Sequence, residues 1–356
     1  MITKSGAVLR AHWKPILHWA VAAVALAALA TQAPGLSHDV VMAGEPLAHL
    51  RWPWMVLAVV AGLGGLALYG EMHRQLLMVG GARLSVPTIQ GITFAQNAIS
   101  NTVPVVGGAG ALAYAIDQLR QQRVDAPLAS WAVFVAGVLD TVALLALAVL
   151  GLGWAVHVPM IVVVAGVAVI VVGAAGCWMV LTHPAVLQRA MQVILVASSH
   201  IPGLCRACRV TWTRRAEESA RRLSARIAML RPNGRRWLLL GGLVITSWVL
   251  DFLTLIAAVA AVGSPVPLSV LVLGFLIVQG SIALQIFPGG AGLASAGLLG
   301  VMVAAGIAAA PAAASALVYR GISWLALALV GWVVYVMRIH TGPVAMHRHS
   351  AEYGEA

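Results

Sequence analysis

Long apolar stretches, separated by short polar or glycine- and proline-rich breaks, make up most of the 356-residue chain. A run of about 20 apolar residues spans the hydrocarbon core of a bilayer as a helix. Six stretches are therefore predicted to be transmembrane helices: 15–31, 53–70, 128–151, 158–181, 236–262 and 312–337. Several carry Trp or Tyr near their ends, as interfacial anchors do. The pattern predicts an all-α, polytopic membrane protein.

Two further apolar regions, 88–119 and 268–307, are interrupted in the middle by proline and glycine. The breaks have the sequences VPVVGGAG, starting at Val103, and FPGGAG, starting at Phe287. The second limb of the first region, about 109–119, is too short to cross a bilayer at about 1.5 Å per residue. Both regions are therefore predicted to be re-entrant helical hairpins.

Composition and charge support a membrane location and predict an orientation. Only 9% of the residues are charged and 61% are apolar, whereas soluble domains carry about 25% charged residues. With the N-terminus in the cytoplasm, 20 of the 22 Lys and Arg lie in cytoplasmic segments; Arg51 is outside and Arg320 lies within a span. The positive-inside rule therefore predicts a multi-pass protein of the cytoplasmic (inner) membrane with both termini in the cytoplasm. The alternative for the N-terminal stretch is a secretory signal peptide.

The two breaks repeat one another 182 residues apart. Gly107-Gly108-Ala109-Gly110 recurs as Gly289-Gly290-Ala291-Gly292; Pro104 or Pro288 precedes it, with Gln96 or Gln279 eight or nine residues earlier. The charge count has the first hairpin enter from the cytoplasm and the second from outside, which predicts an inverted-topology repeat. In transporters such repeats pack around a midplane site built from the ends of broken helices. The alternative is chance recurrence in a glycine-rich chain.

Three ionisable residues lie well within apolar helices: Asp140, Asp251 and Arg320, the last preceded by Tyr319. Each is unfavourable at mid-span by about 2.5–3.5 kcal/mol, so each is expected to face a partner or water. Asp140 and Arg320 lie on the helices that follow the two hairpins, and they are predicted to pair across the pseudo-twofold axis. The alternative for Arg320 is direct contact with an anionic headgroup, and Asp251 is a candidate for ion or proton coupling.

Glycines at the start of a half-helix leave its first amide groups exposed to a phosphate or carboxylate. Close helix packing is the alternative explanation for any one of them. Uncharged polar side chains along the hairpin limbs add to the predicted site. The predicted substrate-binding residues are Gly107, Gly108, Gly110, Gly289, Gly290, Gly292, Arg320, Tyr319, Asp140, Gln96, Asn97, Asn101, Gln279 and Gln285.

The chain is predicted to have five parts. These are a first helix with an external loop (1–52), repeat 1 (53–181), a cytoplasmic insert (182–235), repeat 2 (236–340) and a cytoplasmic tail (341–356). The insert is basic and amphipathic, and is expected to lie on the anionic inner leaflet. Within it, His200, Cys205 and Cys208 offer three zinc-like ligands but no fourth at the usual spacing. Neither a metal nor a cofactor is therefore predicted.

The sequence around the second break resembles the lysylphosphatidylglycerol synthase transmembrane region, a flippase-like family. The resemblance rests on FPGGAG at 287–292, Ala-Gly-Ile at 305–307 and Ala-Leu-Val-Tyr-Arg at 316–320, and extends more loosely over about 55–337. It implies a protein that moves lipids between leaflets. The family often has an acidic residue after the second break, where this chain has Ala294-Ser295. The family also often has Arg after the first break, where this chain has Ala113-Tyr114.

The leading expectation is a flippase for an anionic, phosphate-bearing lipid, either a phospholipid or a polyprenyl-phosphate-linked headgroup. No ATPase or hydrolase motif is present, so the chain is predicted to be transporter-like and not an enzyme. One alternative is a non-transporting, lipid-binding partner or scaffold of a lipid or glycan synthase. The other is an intramembrane lipid-phosphate transferase. Nucleic acid is not an expected partner.

Overall fold

The computed structural model describes residues 43–103, 107–182, 234–283 and 292–341. Within these ranges all regular structure is helical, and no strand is present. The helices are α1 (Trp52–Val79), α2 (Val86–Thr102), α3 (Gly107–Gln121), α4 (Ala126–Ala155), α5 (Met160–Thr182), α6 (Gly234–Val262), α7 (Leu268–Ala283), α8 (Leu293–Ala304), α9 (Ala309–Arg320) and α10 (Leu327–Thr341), with a π-helical segment (Gly321–Ala326) joining α9 to α10.

Four helices of the described ranges are long and apolar enough to cross a membrane. They are α1, α4, α6 and the continuous helix Ala309–Met337, and they coincide with four predicted spans. Another predicted span, 158–181, is helix α5, whose described apolar part, Met160–Gly176, is shorter. The predicted span 15–31 lies outside the described residues. The chain is thus an all-helical multi-pass membrane protein, while the number of six spans stays a prediction.

In each interrupted region the structure describes two short helices, and the residues between them, 104–106 and 284–291, lie outside the described residues. Helices α2, α3, α7 and α8 have 17, 15, 16 and 12 residues, or about 18–26 Å, against a hydrocarbon core of about 30 Å. In the second region a Cβ on Gly274 would lie 2.5 Å from Leu298, and one on Gly297 would lie 2.4 Å from Ile277. Residue 274 thus lies beside residue 298, and residue 277 lies beside residue 297. The two limbs therefore run antiparallel. Their re-entrant course in the bilayer stays a prediction.

The chain divides into two compact units that are each discontinuous in sequence. The described part of the first unit is 43–66, 90–103, 107–113, 251–283 and 292–341. The second unit contains 67–89, 114–182 and 234–250. Helices α1, α2, α3 and α6 each contribute one part to each unit.

The start of α1, the end of α6 and the start of α9 lie together at one end of the first unit. The Arg51 amide donates to the Ala261 carbonyl at 2.9 Å, and Ala43 packs with Ala313 and Ala314. Gly263 ends α6 with a φ of +82°, a conformation that favours glycine. The predicted crossing order requires these segments to share one membrane face. We call this end of the first unit the Arg51 end.

In the second unit, α4 and α5 are antiparallel neighbours. A Cβ on Gly153 would lie 2.3 Å from Val163, and one on Gly166 would lie 3.1 Å from Val149. A Cβ added to Gly80, directly after α1, would likewise lie against the Leu128 side chain near the start of α4. Small residues therefore allow close helix approach here, as is typical within membranes.

Candidate intramembrane polar site

Polar side chains of the first unit lie at one depth. Asp251 is 11 positions before Val262 at the end of α6, Gln279 is 11 positions after the start of α7, and Arg320 is 11 positions after the start of α9. At 1.5 Å per residue, each lies about 16 Å from the Arg51 end of the unit. Since the hydrocarbon core is about 30 Å thick, we expect this depth to lie close to the bilayer midplane.

Three helices converge on the Asp251 carboxylate. Gln279 Nε2 on α7 donates to Asp251 Oδ2 on α6 at 2.7 Å. The Tyr319 hydroxyl on α9 donates to the same carboxylate and is also hydrogen-bonded to Ser323. The Arg320 guanidinium interacts electrostatically with Asp251. We refer to Asp251, Gln279, Tyr319 and Arg320 as the midplane cluster.

The charge of Arg320 is enclosed by protein. Only 6% of its surface is exposed, and Tyr319 and Gln279 are exposed by 1% and 7%. Its guanidinium carbon lies 5.4 Å from the centroid of the Trp324 indole ring, an arrangement typical of cation–π contacts. Trp324 lies one turn later, in the π-helical segment, and π-helical turns occur frequently at functional sites.

The C-terminal end of α2 is attached to the helix that carries Arg320. Trp324 Nε1 donates to the Asn101 carbonyl at 3.0 Å, and Trp332 Nε1 donates to Thr102 Oγ1 at 3.1 Å. The Asn101 side-chain amide donates to Asn97 Oδ1 at 2.9 Å. Asn97 Nδ2 is buried, and no described residue accepts a hydrogen bond from it. The structure thus brings the predicted residue Asn101 against Trp324, with Asn97 hydrogen-bonded to it.

The glycines of the first break have different surroundings. A Cβ on Gly107 would lie 2.6 Å from the Ser100 carbonyl, so the close approach of α3 to α2 requires glycine there. Gly108 is partly exposed and Gly110 is exposed. Gly292 is exposed at the start of α8. The predicted residues Gly289, Gly290 and Gln285 lie outside the described residues.

Asp140 belongs to the second unit. Its carbonyl accepts a hydrogen bond from Trp248 Nε1 at 3.2 Å, and its charge interacts with Tyr69 of α1. The predicted pair of Asp140 with Arg320 stays a prediction. So does the role of Gln96, which is partly buried on α2.

Sequence reasoning missed two features of this site. It identified Asp251 and Gln279 separately, without a signal that would pair them. It also passed over Trp324, although a Trp four positions after an intramembrane Arg lies on the same helix face. No group of three potential metal ligands occurs in the described part of the chain, and His200, Cys205 and Cys208 lie outside it.

Comparison with known proteins gives a family match. The model of the family described as lysylphosphatidylglycerol synthase TM region matches residues 15–331. No match was found among curated proteins. The matched range includes every residue of the midplane cluster.

Proposed function

The chain belongs to the family of the lysylphosphatidylglycerol synthase TM region, and from this premise we propose that it is a lipid flippase. Its substrate is an anionic, phosphate-bearing lipid, either a phospholipid or a polyprenyl-phosphate-linked lipid. The headgroup passes through a polar cavity near the midplane of the cytoplasmic membrane while the acyl or prenyl chains stay in the bilayer.

The buried Arg320 is the observation that carries this proposal. A guanidinium at mid-depth is unfavourable unless it has a partner or a function. Its planar set of five donors matches the oxygens of a phosphate. The guanidinium packs on the face of Trp324, whose N–H donates to the Asn101 carbonyl at the end of α2, so its position is defined before a ligand arrives. These properties favour a binding site for an anionic headgroup.

The two broken helical regions supply the rest of the proposed pathway. Amides at the start of α3 and α8, around Gly108 and Gly292, are offered to the phosphate, since helix N-termini attract anions. The inverted repeat provides two pseudo-equivalent arrangements, one open to each side. Because the sequence has no nucleotide-binding motif, transport is driven by an ion gradient or by the concentration difference of the lipid.

A lipid-scrambling assay in proteoliposomes tests the proposal. The fluorescent probes are phosphatidylglycerol, phosphatidylcholine and a polyprenyl phosphate, each reduced from outside by dithionite. We expect anionic lipids to cross faster than in empty vesicles. Arg320→Ala should abolish this transport, and Arg320→Lys should keep only part of it because a lysine lacks the planar donor set.

Arg83→Ala is the matched control, since it also removes an arginine but at an exposed position between α1 and α2. It should transport like the wild type. Anionic lipid movement no faster than in empty vesicles, with folded wild-type protein, would contradict the flippase proposal. Lipid binding without movement would favour the non-transporting partner, and chemical change of the headgroup would favour the transferase.

A further inference from the structure

We propose that Trp324 is a positioning residue, which holds the Arg320 guanidinium in place and makes headgroup binding depend on the first break. This inference rests on the proposed function and adds a residue that sets how strongly the anionic headgroup binds. The Trp324 indole makes two separate contacts within the first unit. Its ring face packs on the Arg320 guanidinium, and its N–H group donates to the end of α2.

The ring face of Trp324 restricts where the guanidinium can lie. The guanidinium carbon is 5.4 Å from the ring centroid, within the distance of about 6 Å at which a ring attracts a cation. Arg320 and Trp324 are each only 6% exposed, and cation–π contacts are stronger where water is excluded. Stacking uses the face of the guanidinium, so it is compatible with hydrogen bonds along the guanidinium edge.

The N–H group of Trp324 fixes the ring in turn. Nε1 donates to the Asn101 carbonyl at 3.0 Å. Asn101 lies in the last turn of α2, which ends at Thr102, and the last four carbonyls of a helix have no partner within that helix. The indole supplies a donor to one of these carbonyls. The orientation of the ring over Arg320 therefore depends on the position of the end of α2.

The start of α3 packs against the same turn of α2. A Cβ on Gly107, the first residue of α3, would lie 2.6 Å from the Ser100 carbonyl oxygen. Ser100 directly precedes Asn101, so the two helices meet one residue away from the carbonyl that Trp324 binds. A change in the packing of α3 on α2 therefore moves the partner of the indole N–H, and through the ring it moves the guanidinium.

A second tryptophan attaches this turn of α2 independently. Trp332 Nε1 donates to Thr102 Oγ1 at 3.1 Å, and Trp332 lies eight positions after Trp324. Its ring packs edge to face with the Tyr335 ring, with the centroids 5.1 Å apart. Removal of the Trp324 N–H group should therefore free the Trp324 ring without detaching α2.

Binding of dioctanoyl phosphatidylglycerol to the purified full-length chain in detergent, measured by calorimetry, tests the role of the ring face. Replacement of Trp324 by tetrafluorotryptophan keeps the bicyclic ring and the N–H group but removes the negative potential of the ring face. Because the headgroup must then order the arginine itself, binding should weaken by at least about threefold. Trp324→Leu removes the ring and the N–H group together and should weaken binding by at least about tenfold.

A double-mutant cycle tests the link to the first break. Gly107→Ala pushes the Ser100 carbonyl away from α3, so it should weaken binding of the phosphatidylglycerol by at least about threefold. Trp324→Phe keeps an aromatic face but has no N–H group, and should by itself weaken binding by about the same factor. In the Trp324→Phe background, Gly107→Ala should have no further effect, because the connection that it disturbs is already lost.

Two variants serve as matched controls and should bind like the wild type. Trp154→Leu also removes an indole, but from an exposed position at the end of α4. Gly137→Ala also adds a Cβ to a helical glycine, but nothing lies within 4 Å of that Cβ.

Several results would overturn the inference. Unchanged binding with tetrafluorotryptophan at position 324 would refute the role of the ring face, since a role in packing alone depends on ring size. An effect of Gly107→Ala that is equally large in the Trp324→Phe background would refute the link to the break. If Gly107→Ala does not fold, unchanged binding by Trp324→Phe would refute that link.

Inorganic phosphate and the scrambling assay separate the remaining failures. Binding of inorganic phosphate as tight as that of the phosphatidylglycerol would overturn the assignment of the site to a lipid headgroup. Arg320-dependent scrambling that is unchanged with tetrafluorotryptophan would refute the positioning role and leave the flippase. Weaker binding with tetrafluorotryptophan in a chain that scrambles no lipid would support the positioning role and refute the flippase.

Discussion

The contact of Gly331 with α2 gives a quantitative prediction about stability. A Cβ at Gly331 would lie 2.3 Å from the Phe94 carbonyl oxygen and 2.6 Å from Ala98 Cβ. Both groups belong to helix α2, so no flexible side chain can move aside. Restoring an ordinary distance of 3.4 Å requires the helices to separate by about 1 Å. Such overpacking destabilises by about 1–3 kcal/mol.

The separation also affects a hydrogen bond one residue away. Trp332 Nε1 and Thr102 Oγ1 are 3.1 Å apart, and a further 1 Å takes them beyond hydrogen-bonding distance. Losing this hydrogen bond destabilises the protein by about 1 kcal/mol. The higher helix propensity of alanine stabilises it by about the same amount. We therefore expect Gly331→Ala to lower the free energy of unfolding by about 2 kcal/mol.

Equilibrium unfolding in mixed detergent and sodium dodecyl sulfate micelles, followed by far-ultraviolet circular dichroism, measures this change. Gly300→Ala is the matched control, because it lies within helix α8 and nothing is within 4 Å of its added Cβ. This variant should be as stable as the wild type or more stable, by up to about 1 kcal/mol. Equal stability of Gly331→Ala and Gly300→Ala would refute the close approach of α2 to α10.

Two further predictions concern the ends of the helices. Gly263→Ala should destabilise by about 1–2 kcal/mol because of its φ of +82°. The loss of stability should be the same in an Arg51→Ala background, since the strain lies in the backbone. Thermal unfolding of the wild type, the two single variants and the double variant measures this loss. A loss that disappears without Arg51 would instead indicate a clash with its side chain. In a chain otherwise free of cysteine, Arg83→Cys should react with an impermeant maleimide only from the cytoplasm, and Ala308→Cys only from outside. Reaction of both from the same side would contradict the predicted orientation.

The positions of the helices could largely be predicted from the sequence. The stretches 53–70, 128–151, 236–262 and 312–337 coincide with four membrane-spanning helices because apolar length is a local property. Proline and glycine interrupt helices whatever surrounds them, and the structure describes separate helices on either side of both predicted breaks. The predicted ends differ most for α1, which continues to Val79 through polar residues such as Glu71 and Arg74. These two form a salt bridge of 2.7 Å with each other, which allows the helix to continue.

The chemistry of the candidate site was only partly predictable. Arg320, Tyr319, Asp251 and Gln279 stood out because polar side chains are unfavourable in apolar helices. Their equal depth follows from counting residues once the helix ends are known. Their contacts could not be derived in this way. The pair of Arg320 with Asp140, inferred from the symmetry of the repeat, stays a prediction, whereas the packing of the guanidinium on the Trp324 ring appears only in the tertiary structure.

The sequence by itself thus determined which segments are helical, where they break and which ionisable residues lie inside the membrane. The tertiary structure decided which of those residues meet. In a soluble helix an apolar stripe identifies the buried face, but a membrane helix is apolar all round because lipid is as apolar as a protein core. Its rotation is set by close packing, such as that of Gly331 on α2, and by hydrogen bonds such as that of Gln279 to Asp251. Both exist only once the helices are assembled.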